Sequence, residues 1–146
     1  MIKVSVQQAD FDVGEELSLL KRDVGALSSF VGIVRGQDGL VSLTLEHYPA
    51  MTAQVLNALA EQAAQRWSLT HITLIHRVGI LKPDDQIVLV ATGSSHRSNA
   101  LESCAFLIDR LKTDAPFWKK ECFSDGRDQW VETRHSDTQA AARWMK

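Results

Sequence analysis

The chain has 146 residues, with 16 Lys and Arg against 18 Asp and Glu, a formal net charge of −2. That length suits one compact unit with a sizeable core, and 45% apolar with 23% charged residues excludes a disordered chain. The near-neutral balance argues against generic nucleic-acid binding, which needs a strongly basic surface to displace counterions.

The hydrophobic period switches repeatedly between about 2 and about 3.6, the pattern of mixed α and β structure. Residues 2–8 alternate as a strand. Asp12 followed by Glu15 resembles a capping box and opens a short helix over 13–22. The β-branched run from Ala26 to Arg35 predicts a second strand, Gly36-Gln37-Asp38-Gly39 a turn, and Val41 to Tyr48 a third strand. Those two strands and their short loop read as a hairpin. Pro49 suits the first turn of a helix over 50–67, with Met51, Val55, Leu59, Ala63 and Trp67 on its apolar face.

Thr70 to Val78 is a predicted strand, Lys82-Pro83-Asp84-Asp85 a turn, and Gln86 to Thr92 another strand. A helix over 96–112 follows, with Leu101, Cys104, Ile108 and Leu111 as its apolar face. Phe117 to Phe123 and Gln129 to Thr133 form a terminal hairpin around Asp125-Gly126, and Ser136 is placed to cap a helix over 137–144. The expected organisation is one α+β domain over residues 1–146. No apolar run reaches the roughly 18 residues of a membrane span, and the N-terminus lacks the layout of a signal peptide. Two cysteines, Cys104 and Cys122, make no disulfide framework, so a cytoplasmic protein is expected.

Three places hold candidate chemistry. Thr92-Gly93-Ser94-Ser95-His96-Arg97-Ser98 joins a strand to a helix, where unpaired N–H groups and the positive dipole end favour an anion. Arg97 adds a fork for phosphate or carboxylate, and His96 a donor near neutral pH. The bland alternative is a serine-capped, solvated first turn. In Lys112-Thr113-Asp114-Ala115-Pro116-Phe117-Trp118-Lys119-Lys120-Glu121, Pro116 ends the helix and starts an extended segment. There Phe117, Lys119 and Glu121 share one face, and Trp118, Lys120 and Cys122 the other. Lysines among aromatic rings are candidates for acid–base or nucleophilic work, although such lysines often only snorkel over the rings. Arg35 ends its strand just before a loop, where a side chain can reach a pocket mouth. His71 and His76 lie five apart in a strand, point to opposite faces, and read as core or edge residues; no metal is expected.

In chain order the chain resembles the large, catalytic subunit of molybdopterin synthase, the MoaE family. The likeness rests on Phe30-Val31-Gly32-Ile33-Val34-Arg35, on Leu43-Thr44-Leu45-Glu46-His47-Tyr48-Pro49-x-Met51, and on Ile75-His76-Arg77-Val78-Gly79. It continues through Ser95-His96-Arg97, the stretch from Leu111 to Glu121, and Trp130-Val131-Glu132. The resemblance implies an α/β hammerhead-like fold with a mixed or antiparallel sheet and an added C-terminal hairpin. It also implies a homodimer within a heterotetramer, with a small ubiquitin-like, MoaD-like sulfur carrier threading its thiocarboxylated Gly-Gly tail into each site. The substrate would be cyclic pyranopterin monophosphate, the product the dithiolene of molybdopterin, and no cofactor is implied.

By motif, Lys112 and Lys119 match the family's catalytic lysines. Ile33, Val34, Arg35, His96, Arg97, Lys112, Lys119, Lys120 and Glu121 match its substrate-binding positions. Ile33 offers only backbone or apolar contact. Lys120 stands where an arginine is also usual, which keeps charge but loses fork geometry. The loop over residues 36–40 is shorter than is common in the family. The alternative reading is a non-catalytic module that binds a ubiquitin-like tail or a phosphorylated ligand.

Overall fold

The computed structural model describes residues 1–131 and 135–145. Its elements in chain order are β1 (Ile2–Gln7), α1 (Val13–Ser18), β2 (Ala26–Ile33), β3 (Leu40–His47), α2 (Pro49–Trp67) and β4 (His71–Arg77). There follow β5 (Gly79–Leu81), β6 (Gln86–Ser94), α3 (Arg97–Asp114), β7 (Phe117–Phe123), β8 (Asp128–Val131), α4 (His135–Ala142) and a 3₁₀ turn at Arg143–Met145. The strands form two four-stranded sheets, in the orders β1-β4-β6-β2 and β5-β3-β7-β8. The first is mixed, because β1 runs parallel to β4 while β6 is antiparallel to both β4 and β2. The second is antiparallel throughout and ends in the β7–β8 hairpin.

Two local signals act as the sequence suggests. The Asp12 side chain accepts the Glu15 N–H at 2.9 Å and caps α1. Asp125-Gly126 turns the β7–β8 hairpin, with Gly126 at a φ of 89° that L side chains rarely adopt. Helix α1 is shorter than the expected 13–22: Leu19 caps it, and the next residue, Leu20, is fully buried in the core. Ser136 lies inside α4 and not at its cap, since that helix begins at His135. Glu132 and Thr133, the end of the expected last strand, lie outside the described residues.

The expected hairpin of β2 with β3 is not formed. β2 pairs with β6 over Ala26 to Ile33, and β3 pairs with β7 and β5, so the turn at residues 36–39 carries the chain from one sheet to the other. β2 also stops at Ile33. The Val34 N–H donates to the Asp85 carbonyl, and the Asp84 N–H donates to that of Val34, so the backbone there pairs with the 82–85 turn. Burial explains the switch: Leu43 and Leu45 of β3 pack with Val34 and Leu81 in a separate apolar cluster between the sheets.

The main core fills the space between the first sheet and the helices, with Ile72, Leu74 and Val90 against Leu56, Leu59, Phe106, Leu107 and Leu111. Helix α2 buries Thr52, Leu56, Leu59, Ala60, Ala63 and Trp67, while Met51 is exposed. The expected stripe took steps of four residues, and each step overshoots a full turn by about 40°, so it drifts around the helix. In α3 the buried face is Ala100, Ser103, Cys104, Phe106, Leu107 and Leu111, and Leu101 points to solvent. Trp144 locks the C-terminal turn onto this layer: its Nε1–H donates to Asp109 at 2.7 Å, and its ring meets Trp67 and Phe106 edge-on.

Candidate active site

A cavity of about 480 Å³ opens where the C-terminal end of α3, the end of β2 and the inner face of β7 converge. Its floor is apolar, with Phe30, Val88, Val90, Leu111 and Phe117, and its charged lining is Arg35, Lys112, Lys119 and Glu121. Lys112 sits in the last turn of α3, where a cation suits the negative end of the helix dipole. Ala115, ahead of Pro116, leaves the helix in an extended conformation, with φ −71° and ψ 128°. From there β7 alternates, and Phe117, Lys119 and Glu121 line the cavity while Trp118, Lys120 and Cys122 are absent from its lining. Seven residues of sequence are thus folded back so that Lys112 and Lys119 face one space.

Arg35 reaches the same space from the opposite wall. Its neighbour Val34 is buried and doubly bonded to the 84–85 backbone, which fixes where the exposed guanidinium starts. Ile33 and Val34 complete that wall with apolar contact. Lys120 lies elsewhere: its Nζ is 3.5 Å from Asp128 Oδ2 and 6.0 Å from the centre of the Trp130 ring. Within this chain, Lys120 therefore takes no part in the cavity.

His96 and Arg97 are also apart from it. Both are exposed at the N-terminal end of α3, and His96 occupies the cap position without a side-chain cap bond. Fifteen residues of helix separate Arg97 from Lys112, about 22 Å at the α-helical rise. The serine cap weighed for this junction is not made, since Ser95 precedes the cap residue. Gly25 packs against this turn so closely that a Cβ there would lie 2.2 Å from the Ser95 carbonyl oxygen. The turn carrying His96 and Arg97 is therefore held by backbone contact.

One residue in the cavity carries more than its sequence context suggested. His76 ends the helix-facing row Ile72–Leu74–His76 of β4, and its ring stacks on Phe117 with centroids 3.8 Å apart and planes 14° from parallel. Its Nδ1–H donates to the Arg77 carbonyl at 2.8 Å. Burial, against that bond, pushes its pKa down to about 4, with Lys119, His47 and Lys112 lowering it further. It is a neutral ring at physiological pH. Alternation with Ile72 and Leu74 was the sequence signal for its face; the stack on Phe117 had none.

Neither cysteine joins the site. Cys104 is buried in the core, where burial raises its thiol pKa, and Cys122 belongs to the outward row of β7. Among the described residues no group of three or more His, Cys, Asp or Glu side chains is placed to hold a metal. Nor, among the described residues, is any helix long and apolar enough to cross a membrane.

The fold and cavity define a class: α/β hammerhead-like proteins that gather cations from a helix end, a strand and a loop between two sheets. Comparison with known proteins narrows it. The family model described as MoaE protein matches residues 6–114. The molybdopterin synthase catalytic subunit of Escherichia coli is 49% identical over 147 residues, covering 97% of each chain. A solved MoaE protein from Burkholderia ambifaria is 46% identical with a TM-score of 0.85, covering 100% of this chain and 99% of that one. Molybdopterin synthase from Staphylococcus aureus superposes with a TM-score of 0.80 at 27% identity, over 87% of this chain and 95% of that one. This chain belongs to the MoaE family.

Proposed function

We propose that the cavity is the sulfur-transfer site of a molybdopterin synthase catalytic subunit. The observation that carries this reading is the convergence of Lys112 and Lys119, from different elements, on one space with Arg35. The substrate is cyclic pyranopterin monophosphate, and the sulfur arrives as the thiocarboxylate ending a small ubiquitin-like, MoaD-like partner. Both are anions, and fixed cations in a partly enclosed cavity stabilise them more strongly than in water. Sulfur supply from outside accords with the placement of Cys104 in the core and Cys122 away from the cavity. One lysine polarises or covalently traps an acyl or pterin intermediate, and the other moves protons during loss of water and opening of the cyclic phosphate. Glu121 supplies the anionic group that keeps the cavity from being uniformly positive.

His96 and Arg97 enter through a second copy of the chain. A helix about 22 Å long cannot bring Arg97 to the Lys112 of its own chain. In a homodimer, with one carrier subunit per copy, the His96–Arg97 turn of one chain completes the anion site of the other. The catalytic domain spans residues 1–146, and the assembly works in the cytoplasm. The test is direct: the chain is mixed with a thiocarboxylated carrier and the cyclic pyranopterin, and the dithiolene product is measured. Product formation at a rate comparable to a known synthase is expected; none from the intact pair overturns the reading.

A further inference from the structure

The two lysines are carried by parts of the molecule with different supports. Lys112 is fixed to the first sheet, because the last turns of α3 bury Leu107 and Leu111 against Ile72, Leu74 and Val90. Lys119 belongs to the second sheet, whose β7 pairs with β3 and β8. The covalent link between them passes through Ala115, in extended conformation, and Pro116, which sets their connection and not their separation. Something across the gap must set the spacing.

We propose that His76 is a positioning residue for the lysine pair, its ring acting as the spacer that holds β7 at a fixed distance from the first sheet. His76 stands on β4 of the first sheet, and Phe117 stands on β7 in the same inward row as Lys119. The two rings stack face to face at 3.8 Å, so the spacing cannot shrink, and loss of contact area opposes its growth. Both sides of the stack are anchored. The Nδ1–H bond to the Arg77 carbonyl stops the imidazole from turning. On the other side His47, paired with Phe117 across the strands, has its ring 5.9 Å from that of Phe117 and its Nδ1 3.1 Å from the Thr52 hydroxyl. A ring with a polar handle does here what a phenyl ring does less firmly. The ring is also uncharged at neutral pH, so the spacer adds no third cation beside Lys112 and Lys119.

This role rests on the proposed sulfur transfer, and the experiment separates the two. In the assembled enzyme His76→Ala removes the ring, and His76→Phe keeps the stack but not the Nδ1–H anchor. A misplacement of about 1 Å can cost roughly 100-fold in rate. His76→Ala is therefore expected to lower kcat about 100-fold with KM for the pyranopterin changed less than about 3-fold, and His76→Phe to retain activity within about 10-fold of wild type. Wild-type kcat in His76→Ala, or His76→Phe no better than His76→Ala, overturns the proposal.

Should His76→Ala fail to fold, His76→Leu, Phe117→Leu and the double variant replace it. One shared contact predicts that the double variant is no worse than the poorer single, and additive losses overturn it. A readout independent of activity is the yield of an intrachain Lys112–Lys119 cross-link with a short bifunctional amine-reactive ester, which acylates one lysine at each end. Cross-linking in wild type and His76→Phe but not in His76→Ala supports the spacer; equal yields in all three overturn it. Absence of dithiolene product from the wild type counts against the sulfur-transfer reading alone, and the cross-link comparison then decides the spacer.

Discussion

His76 makes the stability of this protein fall as the solution becomes acidic, by an amount the structure sets. In the unfolded chain a histidine titrates near 6.5, whereas in the fold burial holds His76 at about 4. The unfolded state therefore binds a proton first as pH falls, and stability is lost through the window from about 6.5 down to about 4, the sign expected for a base buried neutral. Integrated, the penalty is negligible at pH 7, about 2 kcal/mol at pH 5, and about 3 kcal/mol below both values. His76→Phe removes the titrating group while retaining a ring against Phe117. The assay is urea unfolding of both proteins at pH 7, 6 and 5, at one protein concentration and one ionic strength. Loss of the Nδ1–H bond costs His76→Phe about 1 kcal/mol at pH 7. The difference between the proteins then shifts in favour of the variant by about 2 kcal/mol at pH 5. Groups that titrate alike in both proteins cancel. A shift under about 0.5 kcal/mol would refute the reasoning, since it would mean that the ring takes its proton in the folded state nearly as easily as in water.

Further outcomes follow from the cavity and the turn at the far end of α3. Lys112→Ala and Lys119→Ala each abolish dithiolene formation, with thermal melting and carrier-subunit binding close to wild type; full turnover in either variant removes that lysine from catalysis. Arg97→Ala weakens binding of the cyclic phosphate more than of the carrier, as titration calorimetry with each ligand separately will show. Mixed dimers of Arg97→Ala and Lys119→Ala chains turn over faster than either variant alone, because one of their two sites receives both intact residues; no gain would mean that Arg97 does not complete the site of the second copy. Gly25→Ala drives a methyl group into the Ser95 carbonyl oxygen, 2.2 Å from the new Cβ, and lowers stability by about 1–3 kcal/mol in denaturant unfolding. An unchanged midpoint would show that the turn yields at little cost.

Much of this molecule was legible residue by residue. The Asp12 cap, the start of α2 at Pro49, the exit of α3 before Pro116 and the Asp125-Gly126 hairpin each depend on interactions within a few residues. So does the alternation that puts Phe117, Lys119 and Glu121 on one face of β7, since the pleat fixes it once the strand exists. Other features depend on distant parts of the chain. The turn at residues 36–39 is chemically suited to a hairpin, yet β2 pairs with β6 and β3 with β7, because Leu43 and Leu45 find their apolar partners in the gap between the sheets. The sequence by itself determined most of the elements, the alternation along β7 and the inventory of cations, but not β5 or the full buried faces of α2 and α3. Tertiary structure alone decided which cations meet. It joined Lys112, Lys119 and Arg35, turned Lys120 toward Asp128, left Arg97 a helix length away, and made His76 part of the cavity. The physical reason is that periodicity states which side of an element is buried, while the partner on that side is chosen by packing between segments far apart in the chain.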